Sequence, residues 1–265
     1  MAESDQDSTR RFSGRVEDYV RYRPHYPDTV VDFFRESLGL RPEHVVADIG
    51  SGTGFLSELF LSNGNRVYGV EPNAEMRAAG EHYLAGFPHF TSVAGTAETT
   101  TLPETSADFV VAGQAFHWFE PAATKREFQR ILRPVGWVAL VWNDRKIDTT
   151  PFLRAYEVLL EQFCQDQSAV ARRAKVANDS ASLSRFFSPH PFSRHVTSAH
   201  FQEFNFAGLR GRLLSSSYAP LPGSLNYEPM MAGLRGLFEQ HQELGLVRFE
   251  YSTEICYGRL GAVAS

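Results

Sequence analysis

Residues 45–54 read Val-Val-Ala-Asp-Ile-Gly-Ser-Gly-Thr-Gly, and Glu71 follows inside Val-Tyr-Gly-Val-Glu-Pro. An apolar run closed by a glycine turn, then a second apolar run closed by an acid, describes a nucleotide-type ligand lying across two neighbouring parallel strands. Gly50, Gly52 and Gly54, with Ser51 among them, let backbone amides approach such a ligand without a Cβ in the way. Pro72 ends the second run and leaves Glu71 at the cleft, placed to accept both hydroxyls of a ribose. Asp48 closes the first run; a carboxylate buried there needs donors, which turn amides or a ligand ammonium group would supply. The spacing narrows the ligand. A dinucleotide loop runs G-x-G-x-x-G, and Phe55 stands where its third glycine belongs. The loop holds no basic residue and no Gly-Lys-Ser/Thr, so it offers nothing to a polyphosphate. It suits a nucleoside with a zwitterionic tail.

Such residues need rigid strands behind them. Residues 44–49, 66–71, 107–112 and 136–142 are short, β-branched and nearly all apolar, which is how strands covered on both faces read. Helical patterns at 55–62, 74–85 and 121–132 alternate with them, and 28–38 makes a further helix, capped by Asp28 and stopped by Gly39. This alternation predicts an α/β fold with a doubly wound parallel sheet. Ligands then sit outside the carboxyl ends of the strands, where Gly50, Glu71, Gln114 and Asn143 fall. After Asp144 the pattern changes. Residues 151–164 form an amphipathic helix, 165–185 are weakly patterned (a lid or an inserted helix pair), and 195–204 with 246–257 alternate like a strand pair enclosing helices near 206–216 and 227–242.

The chain has 265 residues, 43% hydrophobic and 13% aromatic, with 21 Phe, ample for a buried core. A net charge of −5 argues against a nucleic-acid binder, which carries a basic footprint. The N-terminal arginines are interleaved with acids and set up no single-sign field. Cys164 and Cys256 fit no metal spacing and read as reduced thiols, so no metal site is expected. No run reaches membrane-spanning length and the acidic start is no signal peptide, which makes the cytoplasm the expected location and a membrane an unexpected partner.

The motifs resemble those of the class I S-adenosylmethionine-dependent methyltransferases. Asp48-Ile-Gly-Ser-Gly-Thr-Gly54 matches the first motif of that family and Glu71 its ribose acid; Gly95-Thr-Ala-Glu98 with Leu102-Pro103 is similar to the adenine-side motif. Asp108–Phe119 resembles the fourth-strand motif, and Phe128–Gly136 the helix and turn before strand five. Gln114-Ala-Phe-His-Trp-Phe119, with Arg21-Tyr-Arg-Pro-His-Tyr-Pro27 upstream, is most similar to the trans-aconitate-methyltransferase-like small-molecule branch. Two departures stand out: Thr96 where the adenine motif commonly carries an acid, and Val135 in place of one glycine before strand five.

The resemblance implies a Rossmann-like, seven-stranded, mainly parallel sheet with a helical lid or insertion, and S-adenosyl-L-methionine as cofactor. It divides the chain into a disordered 1–11 and a single domain at 12–265: a helical cover at 12–40, a cofactor core at 44–145, a substrate and lid region at 150–230, and edge strands at 195–204 and 246–257. Cofactor contacts would come from Tyr19, Arg23, Asp48, Gly50, Ser51, Gly52, Gly54, Glu71, Pro72, Thr96, Ala97, Glu98, Gln114, Ala115 and Phe116. Tyr22, Tyr26, Trp118, Trp142, Asn143 and Tyr218 would wall the acceptor pocket, and His117 is the candidate general base, since an imidazole titrates near neutrality. Were the branch to extend to the acceptor, Arg145, Lys146 and Arg23 would supply a basic cluster for carboxylates. The expected reaction is in-line displacement of a sulfonium methyl by an O, N, S or C nucleophile of a small molecule, in a monomer or homodimer. A non-catalytic S-adenosylmethionine-binding protein, or an enzyme acting on protein or RNA, are the rival readings.

Overall fold

A computed structural model describes residues 21–164, 179–197, 199–216 and 218–261. The expectations for 1–11, for the cover over 12–20 including Tyr19, and for 165–178 lie outside the described residues. Five strands run parallel: β1 (Val45–Ile49), β2 (Arg66–Val70), β3 (Phe90–Val93), β4 (Ala107–Gly113) and β5 (Leu132–Arg145), in spatial order 3-2-1-4-5. Against β5 lies the antiparallel β8 (Val247–Gly258). Its outer edge is shared by β6 (Phe192–Val196) along one half and β7 (His200–Phe204) along the other. Among the described residues the sheet therefore has eight strands rather than the expected seven, because β6 and β7 pair with separate halves of β8.

The helices are α1 (Thr29–Leu38), α2 (Phe55–Ser62), α3 (Ala74–Tyr83), α4 (Pro121–Ile131), α5 (Pro151–Phe163), α6 (Ser180–Phe187), α7 (Phe206–Leu214) and α8 (Tyr227–His241). Gly39 ends α1 in the left-handed region, its amide bonded to Phe34. Asp28 precedes α1, but its side chain makes no capping bond, contrary to expectation. Asn73 caps α3 through the amides of Glu75 and Met76, and Glu120 caps α4 through Ala122 and Ala123.

Period-two alternation sorts the strand residues onto two faces. Ala47, Ile49, Val110, Ala112, Leu140 and Trp142 face α4 and α6, packing on Phe128, Phe186 and Phe187. Val46, Phe109, Val111, Ala139 and Val141 face α1 and α2, packing on Phe34, Leu56 and Phe60. A third cluster joins α5, α7 and α8 to the first half of β8 around Tyr156, Leu213, Met230 and Phe249. Burial of each such side chain stabilises the fold by about 1.5–3 kcal/mol. Among the described residues no helix is long and apolar enough to cross a membrane.

Candidate active site

β1 ends at Ile49 and the chain turns through Gly50, Gly52 and Gly54, with φ of 69°, 56° and 91°. L-residues with a Cβ rarely adopt these values. A Cβ on Gly50 would lie 2.6 Å from the Cβ of Ala115, so the glycine turn abuts the segment that follows β4. Gly52 has more room, its nearest neighbour being the Met76 terminal methyl at 3.4 Å. The turn hands the chain to α2, whose unpaired first amides and positive end face the same side.

Asp48 is 1% exposed on the α2 side of the sheet. The Ser57 hydroxyl donates to its Oδ2 at 2.7 Å. Its Oδ1 is buried and has no hydrogen-bond partner among the described residues. Burial pushes the carboxyl up to about 7, and the nearby charge of Glu71 adds to the rise, against the opposing bond from Ser57. Buried acceptors are rarely left unpaired; Oδ1 is a vacant acceptor beside a turn of open backbone.

Glu71 follows β2. Its Oε2 accepts from the Gly52 amide at 3.0 Å and its Oε1 from the Asn73 amide at 2.9 Å. Burial raises its pKa, opposed by those two amides and by Arg77. Arg77 in turn donates to the carbonyls of Glu71 and Pro72. Glu71 thus braces the glycine turn as well as standing at its mouth. Each carboxylate oxygen keeps a second lone pair, so the bracing leaves acceptor capacity for a diol.

On the expected adenine side Thr96 is exposed and Ala97 buried, within a turn in which Thr96 and Thr99 exchange backbone bonds. Glu98 accepts from the Glu120 amide at 2.8 Å, which ties this loop to the start of α4. After β4, Gln114 takes a left-handed φ of 55° and donates through Nε2 to the Asn143 carbonyl. Ala115 and Phe116 are buried, Phe116 against Phe186. His117 and Trp118 sit on a short 3-10 turn, His117 exposed and Trp118 half-buried, their rings 4.7 Å apart.

The residues expected to wall the acceptor pocket are seated on different elements. Trp142 points into the core between Phe116 and the α4–α6 layer. Asn143 donates to the His25 carbonyl at 3.1 Å and accepts from the Thr253 hydroxyl. Tyr26 is seated over Gly113, where a Cβ would come within 2.5 Å of its hydroxyl. Tyr22 lies on Gly211 of α7, where a Cβ would meet its ring at 2.0 Å. Tyr218 is buried in the third cluster. Arg23 donates to the Ser215 carbonyl at 3.0 Å. Arg145 is buried, paired with Glu157 and set over the rings of Tyr156 and Phe249. That ion pair meets its charge inside the fold, so the expected basic cluster of Arg145, Lys146 and Arg23 is not an array of unpaired cations.

Residues 21–27 instead form a strap. His25 stacks on Phe55 with rings 4.2 Å apart, and its Nδ1 lies 3.4 Å from Glu58. With Tyr26 on β4, Asn143 of β5 on the His25 carbonyl, and Tyr22 on α7, the strap crosses the carboxyl ends of the strands. Sequence reading missed Phe55 and Glu58 as its seats and Arg212 of α7, which is 3% exposed. Among the described residues no group of three His, Cys, Asp or Glu is placed to hold a metal.

A methyltransferase domain family matches residues 47–140. An uncharacterized methyltransferase of Mycobacterium tuberculosis is 37% identical over 145 residues, 55% of this chain and 57% of that protein. An uncharacterized methyltransferase-like protein of Schizosaccharomyces pombe is 29% identical over 164 residues, 62% of each. The matched region thus spans less than two thirds of these relatives' length. Two solved structures share the fold: a putative type II methyltransferase from Anaeromyxobacter dehalogenans (TM-score 0.65, 22% identity, 91% of this chain and 100% of that one) and a putative methyltransferase from an antibiotic biosynthesis pathway of Anabaena variabilis (TM-score 0.55, 21% identity, 86% and 96%).

Proposed function

We propose that this chain, a class I S-adenosylmethionine-dependent methyltransferase by its domain and its fold, moves a methyl group to an O, N, S or C nucleophile of a small molecule. The observation that carries the reading is Asp48 Oδ1, a buried acceptor without a donor beside the glycine turn. The α-ammonium of an adenosyl amino acid is a donor of the right charge. Asp48 would hold that ammonium, Glu71 the ribose hydroxyls, and the open backbone at Gly52 the approach to the sugar. Ala97 and Phe116 would flank the base. When bound, S-adenosylmethionine supplies an already activated methyl on sulfur.

The protein's part is then alignment and exclusion of water. Good alignment alone lowers a barrier by about 7–11 kcal/mol. The strap of 21–27, with its aromatic seats, closes the cleft from bulk water. His117 would take a proton from an acceptor that must lose one. A small molecule is favoured over RNA by the net charge of −5, which gives a polyanion no steering field.

Calorimetric titration with S-adenosylhomocysteine, S-adenosylmethionine and NAD tests the reading. Micromolar binding of both adenosyl ligands and none of NAD is expected. Binding of NAD alone, or of none of the three, would overturn it.

A further inference from the structure

Arg212, on the last turn of α7, is the buried cation that the site described above leaves out. It is 3% exposed, yet among the described residues no carboxylate lies within ion-pair distance. Its Nε donates to the Tyr251 hydroxyl and its Nη1 to the Ser216 hydroxyl, both at a long 3.4 Å. Nη2 has no bond to any described residue. Its remaining electrostatic neighbours are the phenols of Tyr218 and Tyr156. The other well-buried arginine, Arg145, has Glu157; the partly buried Arg130 and Arg194 have Glu127 and Glu254. A guanidinium does not deprotonate in a protein, so burial here leaves a permanent charge faced, among the described residues, by neutral hydroxyls and, at 5.9 Å, by the ring of Phe249. Such a charge is strongly unfavourable unless a counter-ion arrives.

The position says where that counter-ion comes from. Tyr251 is opposite Arg145 at the carboxyl end of β5, and Asn143, two residues earlier on that strand, holds the strap at His25. Ser216 also receives the Arg23 guanidinium of the strap, at 3.5 Å. Two guanidinium groups therefore converge on one serine hydroxyl beneath the strap. The place is thus tied both to the carboxyl end of β5, through Tyr251, and to the strap, through Arg23. An anion seated there would belong to a molecule in the cleft, with its planar oxygens matched by the guanidinium fork.

We propose that Arg212, with Ser216 and Arg23, forms an anion-binding subsite for the acceptor, so that the acceptor carries a carboxylate or phosphate group. Its assignment to the acceptor rests on the methyltransferase reading; the anion site itself does not. The test is titration of inorganic phosphate and of succinate into wild-type protein and Arg212→Met in low-chloride buffer, with succinamide as the neutral control. S-adenosylhomocysteine is titrated into the same samples. At least one anion binds the wild type and succinamide does not; the anion that binds more tightly tells phosphate from carboxylate. Arg212→Met weakens that binding about tenfold or more, Arg212→Lys falls between, and S-adenosylhomocysteine binds all three alike.

The thermal midpoint separates a binding role from a structural one. Removing an unpaired buried charge leaves the free Arg212→Met protein at least as stable as wild type, and abolishes the stabilisation that the anion gives. Failure of both anions to bind, equal binding by Arg212→Met, or a strongly destabilised Arg212→Met would overturn the proposal. Anion binding without S-adenosylhomocysteine binding would leave the subsite standing and remove the methyltransferase reading instead.

Discussion

At the scale of single residues, Asp48 is where folding and the proposed binding conflict. Its folded pKa of about 7 lies above the model-compound value of 3.8 because burial disfavours the charge. Between those values the native state holds one proton more than the unfolded chain, so stability falls as pH rises through that window. Over the full window the loss is on the order of 4 kcal/mol. The expected result is a thermal midpoint that declines from pH 5 to pH 8 in the wild type and stays flatter in Asp48→Asn. A ligand ammonium reverses the conflict by stabilising the carboxylate. Binding of S-adenosylhomocysteine near pH 7 should release a proton, seen as a binding enthalpy that varies with buffer ionisation enthalpy. Equal enthalpies in phosphate and Tris would detach Asp48 from the ligand. Glu71→Ala differs, since it removes a brace and the proposed ribose acceptor together. A lowered midpoint is expected along with a dissociation constant weakened about tenfold or more.

At the scale of elements, the strap and the sheet show what the sequence discloses and what it conceals. The glycine turn was legible because its demands are local: a strand, three left-handed positions and a helix start within one window. The strands β1, β2 and β4 were legible because both faces are covered. β3 was not, because Phe90-Thr-Ser-Val93 is only half-buried and has no apolar run. Helix α6 falls largely inside 165–185, a stretch without clear periodicity. Tyr22 and Tyr26 read as pocket walls, but their seats, Gly211 and Gly113, are remote in sequence, and nothing local announces a ring resting on a distant glycine. Arg212 sits in Phe206-Ala-Gly-Leu-Arg-Gly-Arg-Leu-Leu214, where a buried arginine and a solvated one look alike. These seats make the strap testable. Gly211→Ala places a methyl inside the Tyr22 ring, so the ring must leave. Hydrogen exchange over 21–27 should be slowed by S-adenosylhomocysteine in the wild type and stay fast in Gly211→Ala. If the ligand leaves exchange in 21–27 unchanged in the wild type, the strap is no cover.

At the scale of the whole molecule, three packed clusters meet around the proposed cleft. The α4–α6 layer contributes Phe116, the α1–α2 layer carries Tyr26 and follows the glycine turn at α2, and the α5–α7–α8 cluster holds Tyr22 and Tyr218, with Arg212 over its Phe249 ring. The strap touches the second and third, through Tyr26 and Tyr22, and is tied to β5 by Asn143. A ligand in the cleft should therefore stabilise all three clusters together. At a hundredfold excess over its dissociation constant it adds about 2.7 kcal/mol to the free energy of unfolding. For a chain of this length that raises the midpoint by about 5–10 °C. Scanning calorimetry with S-adenosylhomocysteine should show a single transition moved upward as a unit, and NAD at the same concentration should move nothing. Two transitions, with only one shifted, would mean that the cluster of α5, α7 and α8 unfolds apart from the cofactor core. The strap would then be a tether between two units, and Arg212 would belong to a site that the cofactor does not organise.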